Sequence, residues 1–171
     1  PVRSWDGRNH EFVFAYDDPL HRPTSKKVLR GDGPAPLDRV FERIVYGEGR
    51  PNDSANNLRA RVALLYDTAG RVENVSFDLK GSLTASSRRF CKDPKAIPDW
   101  SGSDPDAQLL AETFQSSATY DALDRLTGGA GLDGLQRFGR PMLYAIFVVV
   151  LAAPDRAREP DGDGRGKQPD Q

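Results

Sequence analysis

The 171-residue sequence predicts an all-β fold, organised as an antiparallel sheet of short strands. Its 16 glycines and 13 prolines favour frequent turns over long helices. Several short segments alternate apolar and polar residues, which is the period of a strand with one buried face. Pairs of an aromatic residue and an aspartate also recur at a fixed interval, and such local self-similarity is typical of a repeat architecture.

The first strand signal is EFVFAYD at residues 11–17, where Phe12, Phe14 and Tyr16 alternate with smaller residues. The segment at residues 39–49 is compatible with a strand or a short helix, and its composition favours a strand. Its β-branched and aromatic residues end at two glycines that interrupt the pattern.

Residues 58–90 are predicted to form a meander of short strands. Segments 58–67 and 72–78 have the composition of strands and lie on either side of the sequence TAGR. Gly70 within TAGR suits a tight turn, because glycine adopts a positive φ without a steric penalty. The meander therefore contains at least one hairpin whose turn is set by local sequence.

Residues 91–108 contain three prolines and are predicted to be a long irregular loop. The next segment, 109–121, has a start compatible with a helix, but residues 116–120 have the composition of a strand. The sequence thus predicts antiparallel β-structure over roughly 10–90, resuming near 118–127.

An aromatic residue followed by aspartate occurs five times, and two pairs of these copies are separated by eleven residues. Each unit is interpreted as a strand that ends in an inward-facing aromatic residue, followed by an aspartate that binds backbone amides of the next turn. One unit cannot bury its aromatic residue alone, so the copies must stack. The predicted structural repeat positions are Trp5, Asp6, Tyr16, Asp17, Tyr66, Asp67, Gly70, Arg71, Phe77, Asp78, Gly81, Tyr120, Asp121 and Arg125.

The repeated carboxylates can also be interpreted as a row for acid catalysis or sugar binding. A glycosidase, however, holds two carboxylates at a set separation across one substrate. Asp67, Asp78 and Asp121 are instead predicted to be spread along a sheet, each capping its own turn. Arg71 and Arg125 are expected to pair with neighbouring turns. We therefore favour a structural role for the repeated units over a catalytic or sugar-binding one.

These residues resemble the Tyr-Asp (YD) repeats of the Rhs family, most clearly in YDTAGRV and YDALDRL. Over Trp5–Thr127 the sequence is similar to the Rhs-repeat core of bacterial toxins, particularly the shell-forming subunits of insecticidal toxin complexes. The resemblance implies a β-sheet that spirals into a hollow shell and encloses a toxic C-terminal segment of the same polypeptide. It also implies a secreted virulence protein whose partners are the rest of the shell, the enclosed toxin and other toxin-complex subunits.

The resemblance ends after residue 127, which divides the chain into three predicted regions. Residues 1–127 form the repeat sheet, and residues 128–153 are a divergent apolar segment. The apolar run at 141–153 is shorter than the roughly 20 residues of a membrane-spanning helix. Residues 154–171 are charged and rich in glycine and proline, so they are predicted to be disordered.

The sequence favours a non-catalytic protein without cofactor or metal. Its 24 basic and 25 acidic residues nearly balance, which gives no electrostatic reason for a nucleic-acid partner. The glycine motif at 129–134 lacks the strand and helix that a dinucleotide site requires. His10 and His21 have no cysteine or glutamate at metal-ligand spacing. The single Cys91 cannot form an internal disulfide.

Two functional hypotheses follow. The first is a structural segment of an Rhs-repeat toxin shell, which the similarity of the intervening sequence favours. The second is a cell-surface or secreted YD-repeat module that binds carbohydrate or a partner protein. The family's Asp-Pro-x-Gly signature for self-cleavage is absent from this sequence, so no cleavage activity is expected.

Overall fold

A computed structural model describes residues 2–18 and 20–131. In this part of the chain, nine strands form one sheet whose spatial order is the order of the sequence. Every neighbouring pair is antiparallel, which confirms the predicted all-β fold. The strands are β1 (Arg3–Trp5), β2 (His10–Tyr16), β3 (Pro23–Arg30), β4 (Leu37–Tyr46), β5 (Val62–Asp67), β6 (Gly70–Phe77), β7 (Leu83–Phe90), β8 (Phe114–Tyr120) and β9 (Leu126–Ala130).

Strand β3 lies within the predicted β-region but has no apolar alternation of its own. Its sequence is PTSKKVLR, and its two lysines are placed by partners on β4. Lys26 pairs with Glu42 at 2.9 Å and Lys27 pairs with Asp38 at 2.6 Å. Opposite charges across neighbouring strands contribute modestly to sheet stability. The strand is therefore recognisable only once its neighbours are known.

The helical start considered for residue 109 is wrong. Leu109 forms an isolated antiparallel bridge with Cys91, and β8 begins only at Phe114. Leu109 is 2% exposed, so burial of its side chain in the core favours the extended conformation. The preceding loop is irregular as predicted, apart from a short 3₁₀ helix at Pro105–Gln108.

Residues 91–110, here called the covering loop, fold back over one face of the sheet. Trp100 at the centre of this loop is fully buried against Leu64 and Tyr66 of β5. Its indole nitrogen donates to the carbonyl oxygen of Asp67 at 3.1 Å, and its amide donates to that of Val40 at 2.8 Å. The loop thus ties β4 to β5 and encloses the main core cluster, which comprises Leu64, Tyr66, Cys91, Trp100 and Leu109.

Strand β9 extends to Ala130, three residues beyond the predicted end of the repeat sheet. The predicted divergent segment lies almost wholly outside the described residues, and the predicted disordered tail lies entirely outside them. In the described ranges, the structure contains no helix that is long and apolar enough to span a membrane.

Candidate functional site

The repeat aspartates are bound to the backbone of their own turns. Asp67 Oδ1 accepts hydrogen bonds from the amides of Ala69 at 2.8 Å and Gly70 at 2.9 Å, the geometry expected of an Asx-turn. Asp78 Oδ1 accepts from the Gly81 amide at 2.7 Å. The other three copies behave alike: Asp6 binds the amides of Arg8 and His10, Asp17 that of Arg22, and Asp121 those of Leu123 and Arg125.

In two copies, the arginine that ends the unit pairs with the aspartate that begins it. Arg22 Nε donates to Asp17 Oδ2 at 2.8 Å, and Arg125 Nε donates to Asp121 Oδ2 at 2.7 Å. The Arg22 side chain thereby lowers the pKa of the Asp17 carboxyl. The Arg125 amide, followed by its side chain, lowers that of Asp121. Arg125 therefore pairs within its own turn, and the expectation of a neighbouring turn is corrected.

Asp67 instead takes its arginine from a different strand. Arg88 of β7 donates through Nη1 to Oδ2 at 2.8 Å and through Nη2 to Oδ1 at 2.7 Å. Bidentate geometry of this kind is among the strongest side-chain contacts in proteins. The sequence-equivalent arginine, Arg71, contacts Asp106 of the covering loop and Glu73 of its own strand. Arg71 is thus paired with a residue of the 3₁₀ helix at Pro105–Gln108 as well as with its own strand.

Asp106 connects three side chains of the sheet and was not identified from the sequence. It accepts hydrogen bonds from Tyr66 Oη at 2.9 Å and Arg89 Nη1 at 3.0 Å, and it also contacts Arg71. Burial is the main cause that raises the pKa of Tyr66, and its hydrogen bond to Asp106 raises that pKa further. Asp106 lies 40 residues from Tyr66, in a proline-rich loop without a strand pattern, so no local signal identifies it.

The repeat aromatics are buried unequally. Tyr66 is 4% exposed, whereas Trp5 is 63% and Tyr16 is 38% exposed, so the inward-facing interpretation is wrong for the last two. Phe77 and Tyr120 are half-buried. The covering loop accounts for this difference in burial. It contacts strands β4 to β7, whereas Trp5 lies on the edge strand β1, outside its reach.

Two repeat glycines occupy backbone positions that exclude side chains. Gly70 has φ of 146°, which confirms the positive φ predicted for this turn. A Cβ at Gly70 would overlap the Arg89 carbonyl oxygen of the adjacent strand. Gly81 has φ of 103°, and a Cβ there would meet the guanidinium of Arg61. Glycine at 70 is therefore required by the close approach of a backbone atom as well as by its positive φ, whereas glycine at 81 is favoured by its positive φ.

The motifs considered for chemistry lie in structural settings. Gly129 of the glycine motif is part of strand β9, opposite Ala118, and the end of that motif lies outside the described residues. His10 Nδ1 lies 2.8 Å from Asp6 in its own turn. Burial raises the pKa of the Cys91 thiol. Among residues 2–18 and 20–131, no cluster of three or more His, Cys, Asp or Glu side chains could hold a metal ion.

No family model matches the sequence, and the curated proteins contain no significant match. Several solved structures do match. A Photorhabdus luminescens Tc holotoxin pore aligns with 78% of the chain at a TM-score of 0.70 and 19% identity. The complex TcdB2–TccC3–TEV aligns with 78% at 0.70 and 20% identity. The complex TcdB2–TccC3 without its hypervariable C-terminal region aligns with 77% at 0.68 and 19% identity.

This chain spans only 6% of the length of each matched chain. Identity near 20% establishes similarity of fold, and it leaves activity and partners to be argued separately. The similarity agrees with the Rhs-repeat resemblance stated from the sequence. The described sheet therefore has the fold of one segment of the Tc toxin structures.

Proposed function

We propose that this chain is a non-catalytic structural segment of an Rhs-repeat toxin-type protein, and that it forms part of a β-shell around a C-terminal toxin. The observation that carries the proposal is the nine-stranded antiparallel meander, in which every strand pairs with its neighbours in the sequence. Such a ribbon can be lengthened at either edge without changing the strands already present. Its similarity in fold to a small part of the Tc toxin chains supports the same assignment.

The edges of the sheet support continuation by further strands. In the described residues, no strand lies beyond β1 or β9. The β9 sequence, LTGGA, contains neither the charges nor the proline that proteins use to protect an exposed edge. Trp5 on β1 and Leu126 on β9 are 63% and 66% exposed. An added strand at either edge would place side chains beside them and reduce their exposure.

The repeat positions serve this architecture in our proposal. The turn carboxylates satisfy backbone amides, and Asp67 and Asp106 additionally join strands and loop through arginines. The partners are then the rest of the same shell, the enclosed toxin segment and other toxin-complex subunits. The setting is extracellular.

The test uses the longer polypeptide that contains this segment together with its C-terminal region. Electron microscopy is expected to show hollow particles, and the C-terminal region is expected to resist a protease concentration that digests it in isolation. Gly70→Val should abolish this protection by disrupting the β5–β6 turn, whereas Gly7→Ala should retain it because nothing lies within 4 Å of that site. Equal digestion of the enclosed and the isolated C-terminal region would overturn the proposal.

A further inference from the structure

An open groove of about 720 Å³ lies between strands β3 and β4 and the residues that follow Trp100 in the covering loop. Its apolar floor includes Val40 and Val45, and its walls include Arg43 and Ser103. Polar and charged side chains outnumber apolar ones in its lining, which favours a polar ligand. The architecture proposed above makes no use of this groove.

Arg43 is the distinctive group in the groove. Its Nη1 atom donates to the carbonyl oxygens of Trp100 and Gly102, both at 3.3 Å, which fixes the orientation of the guanidinium. No carboxylate of the described residues lies within ion-pair distance of it. A guanidinium has five N–H donors, so Nε and Nη2 are available to a further acceptor. The groove therefore presents an oriented positive charge without a counter-ion from the described residues.

The other end of the groove carries an excess of negative charge, because one guanidinium faces two carboxylates there. Arg22 contacts Asp17 and Glu48, each at 2.7 Å, and its guanidinium stacks on the ring of Tyr46 at 3.9 Å. A ligand anion is therefore directed to Arg43 and away from the Arg22 end. The two carboxylates at that end can still accept hydrogen bonds from hydroxyl groups of a ligand.

Hydroxyl side chains line the same groove as Arg43. Ser25 is the β3 residue directly opposite Arg43 in the strand pairing, and Thr24 and Ser103 line the same groove. Hydroxyls both donate and accept hydrogen bonds, which suits a ligand that carries several hydroxyls itself. The groove lies on a face of the sheet where β3 and β4 already bond to neighbours, so an extended peptide cannot add to it as a strand.

We propose that this groove binds a carboxylated sugar. The sugar carboxylate pairs with Nε and Nη2 of Arg43, the geometry in which arginine recognises carboxylates best. The sugar hydroxyls bond to Ser25, Thr24 and Ser103 and to the Asp17–Glu48 end, while the ring lies on the Val40–Val45 floor. This site is independent of the shell architecture.

The test titrates the full 171-residue chain with N-acetylneuraminate, glucuronate and glucose, monitored by saturation-transfer NMR. The sugar acids are expected to bind at least about tenfold more tightly than glucose, since only they carry the carboxylate. Arg43→Gln should weaken binding of the sugar acids at least about tenfold. Lys95→Gln removes the same charge from an exposed residue outside the groove and should leave binding unchanged.

Arg43 also holds the covering loop, so two further variants separate binding from folding. Arg43→Lys keeps the charge and should bind better than Arg43→Gln. Ser25→Val narrows the groove without removing the contacts of Arg43 with the loop carbonyls, and it should weaken binding at an unchanged melting temperature. Equal binding of glucose, unchanged binding in the Arg43→Gln or Ser25→Val variant, or binding of N-acetyl-aspartate amide in place of the sugar acids would overturn the proposal.

Discussion

Arg88 of β7 and Asp67 of the β5–β6 turn form a two-bond ion pair, with N–O distances of 2.7 and 2.8 Å. The Arg88 side chain is 8% exposed and that of Asp67 is 24% exposed. Because Asp67 Oδ1 also accepts the amides of Ala69 and Gly70, one carboxylate holds the turn and joins it to the third strand of the meander.

Asp67→Ala should therefore destabilise the sheet by about 3 kcal/mol, because it leaves the buried Arg88 charge without a partner. Asp67→Asn keeps an acceptor for the turn but also loses the charge, so its cost should approach that of alanine. Asp121→Asn should cost clearly less, since its partner Arg125 is 73% exposed. Urea denaturation of the three variants measures these differences. Equal stability of Asp67→Asn and wild type would contradict the role of the Arg88 pair.

Tyr66→Ala should destabilise the protein by about 3–5 kcal/mol, since the ring is almost fully buried. The ring centroid lies 5.2 Å from that of Trp100, so the truncation leaves a cavity beneath the covering loop. Tyr66→Phe removes only the hydrogen bond to Asp106 and should cost about 1 kcal/mol. Denaturant unfolding distinguishes the two, and an alanine loss below about 1 kcal/mol would show that the ring is not part of the core.

Trp100→Ala should release the covering loop before it unfolds the sheet. The indole is fully buried and donates to the Asp67 carbonyl oxygen, so its loss frees the loop from the sheet. The loop also carries exposed lysines at which trypsin can cut. Limited trypsin digestion should therefore cut faster after Lys92 and Lys95 in the variant. Mass spectrometry of the first fragments identifies the sites of cleavage. Initial cleavage within the strands would instead indicate that the loop and the sheet unfold together.

Gly70→Ala should cost more than about 1 kcal/mol, because a Cβ there meets the Arg89 carbonyl oxygen and the backbone has a positive φ. Gly7→Ala is the matched control, since no atom lies within 4 Å of its Cβ position. We expect that control to stay within about 0.5 kcal/mol of wild type. Thermal unfolding of both variants provides the comparison, and equal losses would show that the close approach at Gly70 has no energetic weight.

Stability should fall in acid through the turn carboxylates. The hydrogen bond that the Ser82 amide donates to Asp78 lowers the pKa of its carboxyl, and the one that the Arg125 amide donates to Asp121 lowers that of Asp121. A lowered folded-state pKa means that this stability is fully present above the unfolded pKa of about 3.9 and is lost as pH falls through the folded value. Urea midpoints measured from pH 7 to pH 2 should therefore decline below about pH 4.

A double variant, Asp78→Asn with Asp121→Asn, should decline less steeply over the same pH range. Asp18→Asn replaces a carboxylate that is 94% exposed and should retain the wild-type slope. A double variant that declines as steeply as wild type would show that other carboxylates cause the acid sensitivity.

The sequence by itself determined much of the local structure of the described residues. Apolar alternation predicted β2, and strand-like composition next to glycines predicted β4, β5 and β6, because both signals lie within a single segment. The turn chemistry was equally local, since Asp67 and Gly70 act on backbone groups only two or three positions away. That the repetition serves these turns rather than chemistry remains our proposal.

Only the tertiary structure decided which repeat copies contribute to the core. Tyr66 and Trp5 are each followed by an aspartate, yet only Tyr66 lies beneath the covering loop. Asp67 pairs with Arg88, 21 positions away, and Tyr66 pairs with Asp106, 40 positions away. Burial and ion pairing depend on which segments meet in space, and a pattern confined to one segment carries no information about that meeting.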